Sequence, residues 1–473
     1  MQTNMKKTFL MILMAMLAMN LEAQSIGRKF TVTVSEDGKA RMICFLPAAE
    51  KATGRAVVIC PGGAYWIVAT ELEGTGFSEF FNSQGIACFV LNYRMPHGNR
   101  ALPFSDAEKA IKMVRDSAVQ WHVNPYDVGI MGSSAGGHLA STVSTHADFA
   151  HRPNFSILFY PVISMNPKAG HAGSTRNLLG RDGEKDETLI YEYSNEKHVQ
   201  GHLTPPAILL LANDDEAVPP VTNAVAYYAA MRRAGNDCAM YIYPSGGHGF
   251  GSNPKFKYHE QMLRDLHDWL DQLPSPKRDA LRVACIGNSI TDGMTIDLKD
   301  HDGYPAQLQR ILGPEYNVKN YGVSARTLLR KGNLPYVSEL AWKDALAFNP
   351  NIAVIKLGTN DSKAINWKYK DEFQKDLQSM IDQLKALPAH PEVYLVRPLV
   401  VVGKVENERS INNEVIEKEI IPIINNVAKK NKLQVLDFRE ELNHKELMSD
   451  DGVHPNKKGA AVIARKVAEA IRK

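Results

Sequence analysis

The stretch GIMGSSAGGHLAS, residues 129–141, places Ser134 inside a Gly-x-Ser-x-Gly pattern. It overlaps the apolar run DVGIMG, typical of a buried strand, and leads into a segment typical of a helix start. A serine at such a tight strand-to-helix turn has its hydroxyl lifted out of the sheet, and the turn needs small residues, here Gly132 and Gly136, on both sides. The stretch therefore predicts an α/β fold in which Ser134 is a nucleophile.

Two further side chains follow Ser134 in the order Ser, Asp, His that a triad on this fold requires. Asp215 comes after the strand-like run AILLLA, and His248 comes after the strand-like run AMYIYP. Because the carboxyl ends of parallel strands share one edge of a sheet, these side chains can converge there. His248 would accept the serine proton and Asp215 would hold the imidazole in the correct tautomer. Asp214 is the competing acid.

The glycine-rich turn CPGGAYW ends an early strand. Acyl transfer needs backbone N–H groups directed at the negative charge that develops on the carbonyl oxygen. The amides of Gly63 or Ala64, together with that of Ala135, are the predicted donors of this oxyanion hole. Tyr65 and Trp66 follow the turn directly and are predicted to face the substrate.

Five blocks occur in order along the first half of the chain: PGGAY, LNYR, GSSAGGHLAS, NDDEAVPP and YPSGGHGFG. Together they resemble the acetyl-esterase and feruloyl-esterase branch of the α/β-hydrolases, including acetylxylan esterase-like members, over nearly all of residues 30–273. The spacing of Val218 and Pro219 after Asp215 is similar to that in these hydrolases and favours Asp215 as the acid. Pro61 replaces the histidine of the common HGG loop, which should leave the backbone donors in place.

A second serine, Ser289, lies in VACIGNSITDG after another apolar strand. Near the C-terminus, DDGVHPNKKG carries Asp451 and His454, three residues apart, so both side chains can face one serine. Between these segments come NYGVSA, with Gly322, and LGTND, with Asn360. A serine, two further oxyanion donors and an Asp-x-x-His pair form a complete set for acyl transfer.

These four blocks resemble the SGNH (GDSL-type) hydrolases over residues 281–473, specifically the sialate O-acetylesterase-like and other carbohydrate-esterase members. The resemblance implies that Ser289 is the nucleophile and that its own amide, the Gly322 amide and the Asn360 side chain form the oxyanion hole. It also implies that the histidine of the Asp-x-x-His pair is the base and that the aspartate orients it.

Length and patterning indicate two domains. A chain of 473 residues exceeds what one hydrophobic core usually organises. In PSPKRDA the two prolines limit helix between a helical pattern and a new apolar strand. We expect an α/β-hydrolase domain over residues 24–274, a linker over 275–280 and a flavodoxin-like SGNH domain over 281–473. In both domains a mainly parallel sheet should be covered by helices.

The N-terminus, residues 1–23, has the pattern of a secretory signal peptide. Lys6 and Lys7 precede an apolar run that ends at Leu21, and the small residue Ala23 precedes the expected cleavage point. The run is shorter than the roughly 20 residues that a bilayer span needs. The mature protein is therefore expected to be exported, either periplasmic or secreted, without a membrane span.

Charge and cysteine content exclude several other classes. A formal net charge of +3 over the whole chain, without a long basic run, gives no reason to expect nucleic acid or an anionic membrane as a partner. The five cysteines are odd in number and irregularly spaced, which predicts buried thiols rather than disulfides or a metal site. No cofactor or metal is predicted, and the oligomeric state stays open.

These observations predict an exported two-domain carbohydrate esterase that removes O-acetyl groups from a plant polysaccharide such as xylan. Three alternatives stay open: sialate O-acetylesterase activity on host glycans, feruloyl esterase activity in the first domain, and a non-catalytic carbohydrate-binding role for one domain. Peptidases of the prolyl-oligopeptidase type share the first triad, but no propeller-like repeat precedes residue 60.

Overall fold

The computed structural model of the protein describes residues 26–399, 401 and 406–472. The described residues form two compact units, the first built mainly from residues up to Arg278 and the second mainly from Asp279 onward. The signal peptide expected over residues 1–23 lies outside the described residues.

A mostly parallel sheet organises the first unit. Its strands are β1 (Ile26–Thr33), β2 (Arg41–Pro47), β3 (Ala56–Cys60), β4 (Ala87–Asn92), β5 (Val128–Ser133), β6 (Ser156–Phe159), β7 (Ala207–Ala212) and β8 (Cys238–Tyr243). They form an eight-stranded sheet in the order β1-β2-β4-β3-β5-β6-β7-β8. The pairs β1–β2 and β2–β4 are antiparallel, whereas the pairs from β4 through β8 are parallel.

Helices connect these strands. They are α1 (Ser78–Ser83), α2 (Ala101–Asp116), α3 (Ser134–His146), α4 (Ala172–Gly183), α5 (Glu187–Glu192), α6 (Ala224–Ala234) and α7 (His259–Gln272), with 3₁₀ turns at Thr75–Phe77 and Asn195–Lys197. Strands β3, β5 and β7 are buried along their whole length, as expected for parallel strands covered on both faces. The α/β-hydrolase fold expected for this half of the chain is confirmed.

The second unit has an all-parallel sheet. Its strands are β9 (Leu281–Gly287), β10 (Tyr316–Gly322), β11 (Ile352–Lys356), β12 (Glu392–Val396) and β13 (Gln434–Leu436), in the order β10-β9-β11-β12-β13. This is the flavodoxin-like order, in which the chain reverses direction across the sheet after the second strand. The expected SGNH-type fold is therefore also confirmed.

Short and long helices alternate with these strands. They are α8 (Ser289–Asp292), α9 (Lys299–Asp302), α10 (Tyr304–Leu312), α11 (Leu340–Ala347), α12 (Ala364–Trp367), α13 (Phe373–Lys385), α14 (Asn413–Val415), α15 (Ile421–Asn431) and α16 (Lys457–Ile471). A π-helical turn, Ile416–Ile420, joins α14 to α15, and 3₁₀ turns lie at Tyr336–Ser338, Asn360–Ser362, Lys370–Glu372 and Lys445–Leu447.

The five cysteines are all free and buried, which confirms the prediction of buried thiols. Burial raises the pKa of the Cys60 and Cys88 thiols, so both stay protonated at neutral pH. Within the described ranges, no helix is both long enough and apolar enough to cross a membrane.

Candidate active sites

The turn between β5 and α3 holds Ser134 in a strained conformation. Ser134 is the first residue of α3 and has a φ of +52°, in the left-handed region that residues with a Cβ rarely adopt. A Cβ at Gly132 would lie 2.1 Å from the Gly136 carbonyl oxygen, and one at Gly136 would lie 2.0 Å from the Cys60 carbonyl oxygen. Only glycine fits at these two positions, so the sequence pattern is what allows the turn to be this tight.

Three side chains predicted from the sequence meet at this turn. The Ser134 Oγ lies 2.8 Å from His248 Nε2, and His248 Nδ1 lies 2.8 Å from Asp215 Oδ2. The other Asp215 oxygen accepts the backbone N–H groups of Ala217 and Val218, which fixes the carboxylate in place. The competing acid is directed elsewhere: Asp214 accepts the N–H of Gly247.

The predicted oxyanion turn follows β3. Gly63 and Ala64 have φ values of +126° and +55°, and among the described residues none accepts a hydrogen bond from their N–H groups. Side chains from other parts of the first unit fix the turn by donating hydrogen bonds to its backbone oxygens. Tyr93 donates its hydroxyl to the Pro61 oxygen, and Asn177 of α4 donates its amide to the Ala64 oxygen. The turn is thus fixed while two of its predicted donors keep their hydrogen-bonding capacity.

The two aromatic residues after the turn have opposite environments. Tyr65 is only 1% exposed, and its hydroxyl lies 2.9 Å from Nδ1 of the buried His138. The prediction that Tyr65 faces the substrate is therefore wrong, because its ring is buried in the core. Trp66 is 68% exposed. It stays a predicted substrate contact.

Three residues that no sequence pattern marks also lie at this site. Glu73 is a buried carboxylate that accepts the N–H of Gly62, and Tyr160 donates its hydroxyl to Glu73. A glutamate in the polar stretch TELEGTG has the pattern of a solvent-exposed loop charge, so no sequence signal marks its burial. His171, which caps α4, also lies near His248: burial lowers its pKa, and the charge of His248 lowers it further.

A second Ser–His–Asp arrangement lies in the second unit. The Ser289 Oγ lies 2.8 Å from His454 Nε2, and His454 Nδ1 lies 2.6 Å from Asp451 Oδ2. Burial acts to raise the pKa of Asp451, but hydrogen bonds from the His454 ring and from the N–H groups of Val453 and His454 outweigh it and lower the pKa. Asp451 is thus held as the anion that a histidine base needs behind it.

The carboxyl ends of β9, β10 and β11 bring the other predicted residues close to Ser289. Gly287, two residues before Ser289, pairs with Gly322 in β10 and with Lys356 in β11. A Cβ at Gly322 would lie 2.1 Å from the backbone nitrogen of Asp292, so a side chain there would collide with the helix that begins at Ser289.

The two predicted oxyanion donors of this site, Gly322 and Asn360, differ in how far their N–H groups are already used in hydrogen bonds. The Gly322 N–H donates to the Asn320 side chain at 2.8 Å, so it is not free to bind an oxyanion in this conformation. Asn360 donates one side-chain N–H to the Arg326 oxygen at 3.1 Å, and its amide nitrogen carries a second hydrogen. The next residue, Asp361, is fully buried and accepts the backbone N–H groups of Leu328 and Leu329. Asp361 therefore ties the loop after β10 to the loop after β11.

Each arrangement has the parts of an acyl-transfer site. In each, a serine hydroxyl contacts a histidine nitrogen whose partner nitrogen contacts a carboxylate, so the histidine can take the serine proton and be stabilised as the cation. Within the described ranges, no group of three or more His, Cys, Asp or Glu side chains could hold a metal ion.

Family models match both halves of the chain. A model described as BD-FAE matches residues 42–229, and a model of the GDSL-like Lipase/Acylhydrolase family matches residues 285–462. These matches include Ser134 and Ser289, respectively, together with the turns that carry them.

The chain is also similar to individual known proteins. The chain is 52% identical over 486 residues to the acetylxylan esterase of Xylanibacter ruminicola, covering 99% of this chain and 100% of that protein. It is 32% identical over 208 residues to endo-1,4-beta-xylanase B of Butyrivibrio fibrisolvens, covering 41% of this chain and 32% of that protein. A crystal structure of an acetyl ester-xyloside bifunctional hydrolase from Caldicellulosiruptor lactoaceticus matches with 29% identity and a TM-score of 0.47, covering 52% of this chain and 96% of that chain.

Proposed function

The chain belongs to the acetylxylan esterase family and is a carboxylic-ester hydrolase with two hydrolase domains, and from this premise we propose that both domains are catalytic. Each would remove O-acetyl groups from an acetylated plant polysaccharide, with xylan as the first candidate. The observation that carries the proposal is the pair of serine-to-histidine contacts, each 2.8 Å, on two unrelated sheets of one chain.

In the first domain, Ser134 Oγ attacks the acetyl carbonyl carbon while His248 Nε2 takes the hydroxyl proton. Asp215 stabilises the resulting imidazolium through Nδ1. The N–H groups of Gly63 or Ala64 and of Ala135 bind the negative oxygen of the tetrahedral intermediate. Collapse of this intermediate releases the sugar hydroxyl, which receives its proton from the histidine. Water then attacks the acetyl-serine by the same route and acetate leaves.

In the second domain, Ser289, His454 and Asp451 have the same three roles. The Ser289 amide and the Asn360 side chain would bind the oxyanion. The Gly322 N–H would join them when Asn320 releases it, because its hydrogen bond to the Asn320 side chain is a contact that substrate binding has to replace. This domain would therefore gain part of its oxyanion hole only when substrate is bound.

The family, rather than a sugar-binding residue, supports the proposed substrate class. The full-length relative is named an acetylxylan esterase, which favours acetylated xylan over sialic acid esters or feruloyl esters. Two active sites in one enzyme would divide the work, each removing acetyl groups from different positions of the sugar ring. Trp66, exposed beside the oxyanion turn, would contact the sugar in the first domain.

The place of action is also part of the proposal. The lysine-led apolar N-terminal segment supports export by a signal peptide, with the mature enzyme in the periplasm or outside the cell. A polymeric substrate that cannot enter the cytoplasm supports the same location.

The test is acetate release from acetylated xylan oligosaccharides by the wild type, Ser134→Ala, Ser289→Ala and the double variant, with products mapped by NMR. We expect each single variant to spare a different set of acetyl groups and the double variant to release no acetate. If one single variant equals the double variant, the intact domain does not deacetylate xylan, and it is either a binding module or an esterase for another acyl group. Feruloylated and sialylated substrates then distinguish these outcomes.

A further inference from the structure

A buried carboxylate lies beside the first site, and the triad and oxyanion roles do not use it. Glu73 is 6% exposed. Its Oε2 accepts the N–H of Gly62 at 2.7 Å, and its Oε1 accepts the hydroxyl of Tyr160 at 2.8 Å. Because a donor faces each of the two oxygens, the contacts fit a carboxylate anion rather than a neutral acid. Burying a carboxylate anion costs desolvation free energy, so its burial beside the active site points to a function there.

Tyr160 connects this carboxylate to the loop that carries His248. The Tyr160 hydroxyl accepts the N–H of Gly251 at 2.9 Å, so its own proton is the one donated to Glu73. The Tyr160 ring packs edge-on against the His248 imidazole, with centroids 4.8 Å apart. Tyr160 also has a φ of +32°, a strained value that the packed surroundings must hold.

The other oxygen of Glu73 holds the oxyanion turn. Gly62 directly precedes Gly63, and its N–H is committed to Glu73. A Cβ at Gly62 would lie 2.5 Å from the Glu73 carboxylate and 2.9 Å from the Ser134 Cβ, so turn, carboxylate and nucleophile are packed together without space between them. One carboxylate therefore fixes the oxyanion turn directly and the histidine loop through Tyr160.

We propose that Glu73 is a positioning residue of the first site, which fixes the oxyanion turn and the His248 loop in their relative positions. Its negative charge also stabilises the imidazolium of His248. The inference rests on the proposed esterase activity of Ser134. An imidazolium forms whenever His248 takes the serine proton, and a second anion in a water-poor environment favours this cation in addition to Asp215.

Several other titratable groups face the same residues. Asp215 contacts His248 directly, Asp214 contacts the neighbouring Gly247 amide, and His171 disfavours a positive charge on His248. Tyr93 faces Glu73. Burial raises the pKa of Glu73, and the hydrogen bonds from Tyr160 and Gly62 and the charge of His248 oppose that rise. Asp215, Asp214, His171 and Tyr93 are kept in every variant below, so a shift of the pH profile in Glu73→Gln reports on the Glu73 charge.

The experiment uses the full chain with Ser289→Ala as parent, so that only the first site hydrolyses p-nitrophenyl acetate. Glu73→Gln keeps the size of the side chain and removes its charge. We expect kcat to fall about tenfold or more and the acidic limb of kcat/KM to move to lower pH by about half a unit or more, because His248 loses an anion that favours its protonation. Tyr160→Phe keeps the charge and cuts the bridge, so kcat should fall several-fold while the acidic limb moves less.

The matched control is Glu71→Gln, two residues away and exposed, which should leave both kcat and the pH profile unchanged. An unmoved acidic limb in Glu73→Gln overturns the inference while leaving the proposed function standing. A parent without any hydrolysis overturns the proposed function of the first site and this inference with it. If Glu73→Gln does not fold, Tyr160→Phe decides: a reduced kcat with an unchanged circular dichroism spectrum supports the inference, and a parental kcat overturns it.

Discussion

Asp451 contacts His454 twice, because one carboxylate oxygen lies 2.6 Å from the imidazole Nδ1 and the other accepts the backbone N–H of the same histidine at 3.0 Å. A single turn of chain therefore sets the whole acid–base pair of the second site. The corresponding pair of the first site, Asp215 and His248, comes from two loops 33 residues apart and depends on the sheet to bring it together. The second pair can be predicted from spacing alone, whereas the first requires the fold.

Replacing the acid of the second site should disable that site without unfolding it. In a Ser134→Ala background, we expect Asp451→Asn to lower kcat for acetate release by about 10²–10⁴-fold, because the amide no longer stabilises the imidazolium or fixes its tautomer. KM should change little, since Asp451 contacts the histidine rather than the substrate. Initial rates on acetylated xylan oligosaccharides measure both constants.

Asp450→Asn is the matched control for this change, because Asp450 is the preceding residue and is exposed. It should retain the parental kcat. Equal losses in the two variants would contradict the assignment of Asp451 and would indicate a general effect of charge in this loop.

The first site also contains two adjacent acids, Asp214 and Asp215. In a Ser289→Ala background, we expect Asp215→Asn to lower kcat by about 10²–10⁴-fold for the same reason. Asp214→Asn should lower it by no more than a few-fold, because among the described residues the Asp214 carboxylate accepts a hydrogen bond only from the Gly247 N–H, which an asparagine oxygen can still accept. Hydrolysis of p-nitrophenyl acetate by the two variants tests this, and a larger loss in Asp214→Asn would reverse the assignment of the acid.

The parts of both sites that the sequence predicts are those fixed by local chemistry. A serine flanked by glycines two residues away on either side, at the end of a strand, is typical of a nucleophile turn. The run AILLLA coincides with β7 because a wholly apolar six-residue run is typical of a buried parallel strand. The antiparallel strands β1 and β2 are not predicted. Strand β1 contains several polar residues, those of RKFTVT, and lies at the edge of the sheet, where the apolar signal is weaker. Strand β2, RMICFLP, is largely apolar, but it pairs antiparallel with both of its neighbours, outside the parallel pattern that the sequence predicts.

The parts that the sequence does not predict depend on backbone direction and on distant partners. Tyr65 follows the oxyanion turn, but its ring is buried against His138, and no sequence pattern marks this burial. Glu73 is buried only because Gly62 and Tyr160, 11 and 87 residues away, supply donors to it. Hydrogen bonds over such separations exist only in the folded chain.

Tyr65 and Trp66 provide a test of the corrected substrate assignment. In the Ser289→Ala background, we expect Trp66→Ala to raise KM for xylan oligosaccharides several-fold, because an exposed indole next to the oxyanion turn is a surface on which a sugar ring can pack. Tyr65→Phe should leave KM unchanged and lower stability by about 1–2 kcal/mol, since His138 Nδ1 loses its donor in the core. A raised KM in Tyr65→Phe would contradict the buried assignment.

His138 should make the stability of the first domain fall in mild acid. Burial lowers the pKa of His138 to about 4, and the neutral ring is already satisfied by the Tyr65 hydroxyl and the Tyr193 carbonyl oxygen. An unfolded histidine has a pKa of about 6.5, so between these values the unfolded chain binds a proton that the folded chain does not, and the free energy of unfolding decreases as the pH falls. By pH 4 this decrease in the free energy of unfolding amounts to about 3 kcal/mol.

Calorimetry at neutral and mildly acidic pH should show a flatter pH dependence of stability for His138→Gln than for wild type, although the variant is less stable at pH 7 because it loses buried hydrogen bonds. His122→Gln, at an exposed histidine, should keep the wild-type slope, and the same slope in His138→Gln would show that this histidine does not resist protonation in the fold.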